Sequence, residues 1–157
     1  MNGAAALLNL ENPVFHMYMI AACIMVLKLM LQPWMTVYRM VKAGGGYRSP
    51  EDLKKTPLNP SPDPSQLEVN EYVDRSRRLN LNDLESIPAF LIVGLLFVLV
   101  EPPLLLAQIL IWGYVTSRAI HFVAYTTAQI HDVRAFCWTW SSVAVITMAV
   151  YTLLQVV

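Results

Sequence analysis

Ionisable and amide side chains stand inside otherwise apolar stretches of this chain, and their spacing is helical. Lys28, Gln32 and Arg39 lie at i, i+4 and i+11. Arg75, Arg78, Asn82 and Glu85 lie at i, i+3, i+7 and i+10, and Arg118, His121 and Tyr125 at i, i+3 and i+7. Residues three, four and seven apart share one face of a helix. Arg134 follows Asp132 at the start of a further apolar run. The excess is cationic: Arg39, Arg78, Arg118 and Arg134 stand against Glu85 and Asp52. A guanidinium binds a carboxylate through two parallel hydrogen bonds. Several arginines with one amide and one carboxylate suit a small polyanion that also carries ammonium or amide groups. An arginine or tyrosine beside a thiol favours its thiolate. The chemistry indicated is capture of a small anionic cytosolic molecule next to an apolar compartment. Singly, each residue has a structural alternative. Arg39 and Arg134 suit anchors at headgroup level, Tyr125 an aromatic belt, and Lys28 a buried ion pair. Arg78 and Glu85 suit a mutual pair, and Cys23 and Cys137 suit small packed hydrophobes. Their gathering in one half of a membrane is what favours a site.

The elements that must position them are apolar helices. Of 157 residues, 56% are hydrophobic and 14% charged, against about 25% charged in soluble domains. Mean hydropathy is +0.48. That argues against a soluble enzyme. A net charge of zero removes the electrostatic case for a nucleic-acid partner. Two cysteines inside apolar runs make neither a disulfide framework nor a zinc site, and no metal-ligand set is visible. A membrane-spanning helix needs about 20 mostly apolar residues. The charge gaps predict spans near 14–41, 83–100, 104–128 and 133–156. The expected fold class is an all-α integral membrane protein, a four-transmembrane-helix bundle, as one domain over 1–157. The first span follows Glu11 without a basic leader and is too long for a cleaved signal. Glu101-Pro102-Pro103 predicts a short break between antiparallel neighbours. Lys42, Arg48, Lys54, Lys55, Arg75, Arg77 and Arg78 all fall in 42–82, and Arg134 lies on that same side. Lys and Arg mark the cytosolic side, so loop 42–82 is expected in the cytosol and both termini in the lumen. Gly44–Gly46 and the prolines at 57, 60, 62 and 64 predict an irregular, extended segment. Helix is expected from 66 to 82, running directly into the second span.

At these residues the sequence resembles the MAPEG family, membrane-associated proteins in eicosanoid and glutathione metabolism. Val73-Asp74-Arg75-Ser76-Arg77-Arg78-Leu79-Asn80-Leu81-Asn82-Asp83-Leu84-Glu85 is similar to its V-E-R-x-x-R-x-x-x-N-D-x-E signature. Arg118 to Tyr125 resembles R-x-x-H-x-x-A-Y, and Ser49-Pro50-Glu51-Asp52 resembles an N-P-E-D loop. Tyr38-Arg39 and Arg134-Ala135 also fall in register, over about residues 13–155. The resemblance implies a homotrimer. It also implies glutathione bound between neighbouring subunits, open to the cytosol, with a lipophilic substrate entering from the bilayer. By position it implies that Arg39, Arg78, Asn82, Glu85, His121, Tyr125 and Arg134 line the glutathione site. Arg134 would hold the thiolate, with Tyr125 as the second catalytic residue, and Arg118 would brace Glu85 or the surroundings of Arg78. The implied location is the endoplasmic reticulum membrane, with the mitochondrial outer membrane as a second address.

The implied activity is conjugation of glutathione to hydrophobic electrophiles, with peroxidase activity beside it. The alternatives are a glutathione-dependent prostaglandin E synthase, an endoperoxide isomerase, and a non-enzymatic trimeric scaffold. The motif residues argue against the scaffold. Leu81 and Ala135 stand where the synthase branch has arginine and serine, which favours the transferase branch. Trp138 matches neither branch. Leu53 replaces the reactive cysteine of vertebrate transferases, so activation by thiol modification is not expected there.

Overall fold

The computed structural model describes residues 7–157; residues 1–6 of the expected single domain lie outside the described residues. Among the described residues four long α-helices form the fold: α1 (Pro13–Ala43), α2 (Glu71–Leu99), α3 (Leu104–Thr126) and α4 (His131–Val156). Asn12 starts α1 by accepting the Val14 and Phe15 amides, and Pro13 fills the first turn, where no donor is missed. Gly44 ends it at φ +59, with the Gly44 and Gly45 amides turned back on Val41 and Met40. Asn70 caps α2 in the same way as Asn12. The helix therefore begins at Glu71 rather than near 66, because Pro64–Leu67 form a separate 3-10 turn. From Glu71 it runs without a break to Leu99, 29 residues. That length, about 43 Å, exceeds a hydrocarbon core of about 30 Å, so one end projects beyond it.

Loop 44–70 is irregular, as expected, but folded on itself rather than extended. The buried Asn59 side chain donates to the Asp52 carbonyl and to Gln66 Oε1, and Gln66 Nε2 donates back to Asn59 Oδ1 at 3.1 Å. Arg77 ties the loop to α2, donating to the Gly46 carbonyl at 2.6 Å and to Asp74 at 3.2 Å. Gly46 sits at φ +76, and an added Cβ would meet the Val73 side chain at 3.1 Å. Only glycine suits both conditions.

Val100–Pro103 link α2 to α3, with Glu101 at φ +51. The helices run up and down. Around the ring, α1 packs on α2, α2 on α4, α4 on α3 and α3 on α1, while α2 and α3 meet across the diagonal. The core stacks Phe90 on Tyr114, with ring centroids 4.1 Å apart. Tyr18 presses on Gly94 and donates to the Leu91 carbonyl. Outward faces are apolar: Trp34, Ile92, Phe136 and Leu154 are each more than 60% exposed. A water-soluble bundle would bury such side chains; a bilayer solvates them. Helices α1, α2 and α4 are long and apolar enough to cross a membrane. Gln108, Arg118 and His121 lower the hydropathy of α3, which does not join them on composition.

Candidate functional site

Six of the seven expected residues converge at one end of the bundle, where α2, α3 and α4 meet. One cleft of about 300 Å³ is lined by Asn82, Glu85, His121, Tyr125, His131, Arg134, Ala135 and Trp138. An adjoining cleft, sharing Tyr125 and Arg134, is lined by Glu71, Arg75, Arg78, Ala128 and Gln129. Helical spacing explains the convergence. Arg78, Asn82 and Glu85 fall within a sector of about 60° on α2 at 100° per residue. His121 and Tyr125 are one turn apart on α3, and their rings lie 4.9 Å apart. Ala128, at φ +59, turns the chain so that α4 starts against α3.

Arg134 lies in the second turn of α4, whose first turn carries Asp132 and no side-chain cap. Its guanidinium rests over the Tyr125 ring at 4.7 Å. Its Nε is buried without a hydrogen-bond partner among the described residues, and so is His121 Nδ1. An unpartnered polar nitrogen is costly when buried, and Arg134 Nε, always a donor, stands beside the amides that begin α4. That combination suits an anion. Glu85 and Asn82 add an acceptor and an amide on the facing helix. Arg78 is engaged with Glu71 at 2.5 Å. This pair holds the Glu71 carboxyl below its usual range, with the Arg78 hydrogen bond as the main cause. Glu71 lies on the part of α2 that precedes the expected span.

Two further arginines lie away from these clefts within one copy of the chain. Arg39 is not brought to these clefts. It is 5% exposed, lies against the Tyr72 ring at 4.6 Å and donates to the Tyr72 carbonyl at 3.0 Å. Arg118 braces neither Glu85 nor the surroundings of Arg78. It is wholly buried and donates to Asp83, which also receives Lys28 and Gln32. The lysine thus has the structural pair expected of it.

Asp83 and His131 had no role in the sequence reading. The signal for Asp83 was present. The buried residues of α2 are Val73, Ser76, Leu79, Asp83, Ile87, Phe90, Gly94 and Phe97, with Val98 beside them. Their spacing of three and four is a core stripe, and Asp83 stands on it while Glu85 does not.

The MAPEG family profile matches residues 17–154. Microsomal glutathione S-transferase 1 of Sus scrofa is 34% identical over 119 residues, 75% of each chain. The Bos taurus protein of the same name is 31% identical over 154 residues, 93% of this chain and 92% of its own. The Homo sapiens protein of that name is 31% identical over 147 residues, with the same coverage. With three helices among the described residues long and apolar enough to cross a membrane, and a family match over nearly its whole length, this chain is a multi-pass membrane protein of the MAPEG family.

Proposed function

We propose that this chain is a membrane-bound glutathione transferase that conjugates the glutathione thiolate to hydrophobic electrophiles. The observation that carries the reading is the pair of unpartnered buried nitrogens, Arg134 Nε and His121 Nδ1, in a cleft that also presents Glu85 and Asn82. Glutathione is a tripeptide with two carboxylates, one ammonium and one thiol, and the residue types of the two clefts match that set. Arg78 binds a carboxylate when it exchanges Glu71 for the ligand. Glu85 accepts from the ammonium, Asn82 serves an amide, and His121 orients the ligand. Arg134, at the N-terminus of α4, stabilises the thiolate, and Tyr125 holds the guanidinium in place from beneath.

Electrophiles enter from the bilayer along the exposed apolar helix faces, and hydroperoxides of the same polarity are a second substrate class. We place the cleft on the cytosolic side, because the Lys- and Arg-rich loop 42–82 lies at the same end of the bundle. α3 is the fourth crossing. It begins at Leu104, after the Glu101 turn opposite the clefts, and ends at Thr126, two residues before Ala128, which lines one of them with Arg78. Its Arg118 and His121 point inward, as polar residues in a spanning helix must. Arg39 joins the ligand only if a neighbouring copy brings its α1 to the cleft, which a homotrimer provides. The membrane we assign is that of the endoplasmic reticulum.

The test is a glutathione titration of the detergent-solubilised protein, followed by conjugation with a dinitrobenzene halide. Saturable binding with turnover supports the transferase. A chain that binds glutathione, ignores such electrophiles and isomerises a prostaglandin endoperoxide is a synthase. A chain that does not bind glutathione is neither.

A further inference from the structure

Beneath the cleft, three helices meet on one buried carboxylate. Asp83 of α2 receives Arg118 of α3 and both Lys28 and Gln32 of α1. Asp83 and Arg118 are each 0% exposed. Replacing a buried ion pair by apolar side chains of similar volume is often neutral or stabilising, so such a cluster is poor evidence of a stability role. Its better-attested use is to fix register and rotation between elements. The diagonal between α2 and α3 is where that is needed, because the extensive helix contacts run round the ring.

The rotation of these two helices decides where the ligand groups point. Taking Asp83 as zero at 100° per residue, Arg78, Asn82 and Glu85 lie about 100–160° round α2 on one side. On α3, His121 and Tyr125 lie within about 60° of Arg118. A single bond system from Asp83 to Arg118 therefore sets both halves of the cleft. A slip of one residue at Asp83 would turn Asn82 and Glu85 by about 100°.

We propose that Asp83 is a positioning residue of the cleft, acting through Arg118 to lock α2 and α3 in the rotation that aims Asn82, Glu85, His121 and Tyr125 at one ligand. The inference rests on the glutathione reading for its ligand and deepens it. Lys28 is not required: removing it leaves Asp83 and Arg118 as a neutral pair, and among the residues of the clefts none lies on α1.

The test uses full-length protein with four variants: Asp83→Asn, Lys28→Met, Arg118→Met, and the apolar triple Lys28→Met, Asp83→Leu, Arg118→Met. Glutathione affinity and the number of sites per chain come from calorimetric titration. A ligand-independent readout comes from spin labels at Leu81 on α2 and Ile120 on α3, which are 57% and 52% exposed. Cys23 and Cys137 are first replaced by serine and alanine. Asp83→Asn, Arg118→Met and the triple variant are expected to bind at least tenfold more weakly with the same number of sites, and to shift or broaden the label distance. Lys28→Met is expected to match wild type in both. A merely structural role would lower the number of sites and leave affinity unchanged. A folded triple variant with affinity within twofold of wild type and an unchanged distance overturns the proposal, as does failure of Asp83→Asn and the triple variant alike to fold. If the wild type does not bind glutathione, the functional reading fails while the label distances still decide the positioning role: unchanged distances reject it, shifted ones support it.

Discussion

Replacing Arg134 by alanine removes the cation assigned to the thiolate and leaves the start of α4 intact. A unit charge about 4 Å from a thiolate stabilises it by about 4 kcal/mol at an effective dielectric near 20. Arg134 is partly exposed, so screening reduces this to about 2 kcal/mol, or about 1.5 pKa units. The helix N-terminus adds about 0.5 unit and persists in the variant. A thiol that is free at about 8.5 would then titrate near about 6.5 in wild type and about 8 in Arg134→Ala. At pH 7 the thiolate fraction falls from about three quarters to about one tenth, so conjugation slows about eightfold. Loss of a cation raises the thiol pKa, so the rate–pH curve moves toward alkaline pH and most of the rate returns near pH 9. Binding falls less than the rate, because Arg78, Asn82 and Glu85 share the ligand. Arg134→Lys keeps the unit charge and recovers part of the shift, but not all of it, since a point charge does not reproduce the planar fork over Tyr125. Tyr125→Phe keeps the ring beneath the guanidinium and has the smaller effect. The assay is the pH dependence of conjugation with a dinitrobenzene halide. An unchanged rate and profile in Arg134→Ala would refute the assignment.

Glu85→Ala should weaken glutathione binding by about 1–3 kcal/mol in calorimetry; unchanged affinity in a folded variant would remove Glu85 from the cleft. Protease added to sealed microsomes should cut at the exposed Lys54-Lys55, because the proposed orientation puts loop 42–82 in the cytosol, and protection until detergent is added would invert the topology. Gly46→Ala should lower the melting temperature through a cost of about 1–3 kcal/mol, because φ there is +76 and the new Cβ meets Val73. The Asp74 carboxyl, on the part of α2 before the span, is held below its usual range chiefly by the Arg48 hydrogen bond, with Arg77 adding to it. A depressed folded pKa contributes stability in full above the unfolded value near about 4 and loses it as pH falls through the folded one. The loop amides should therefore lose protection, measured against their intrinsic exchange rates, at acid pH in wild type, and Asp74→Asn should show that lower protection already at neutral pH.

The helices were legible because a bilayer tolerates few charges, so long gaps between charges mark apolar helices. α1 and α4 end where Gly44 and the Ala128–Ile130 turn place them, near the bounds read from composition. Loop 44–70 was misread as extended because its order comes from Asn59, Gln66 and Arg77 contacts distant in sequence, while composition shows only prolines and glycines. The cleft was legible helix by helix, since Arg78, Asn82 and Glu85 share one face whatever surrounds them. Partner choice was not. Arg118 has two carboxylates within reach on α2, and only the burial stripe through Leu79 and Ile87 tells Asp83 from Glu85. Arg39 shows the remaining limit: helical spacing aligned it with Lys28 and Gln32, but the start of α2 places Tyr72 against it.

Thiolate absorbance on adding glutathione to the detergent-solubilised protein near neutral pH tests the central claim most directly. A saturable rise in wild type that is lost in Arg134→Ala at the same pH, while the variant still binds glutathione, is the result the account predicts. Bound glutathione that stays a thiol in wild type, or an equal rise in Arg134→Ala, would contradict it.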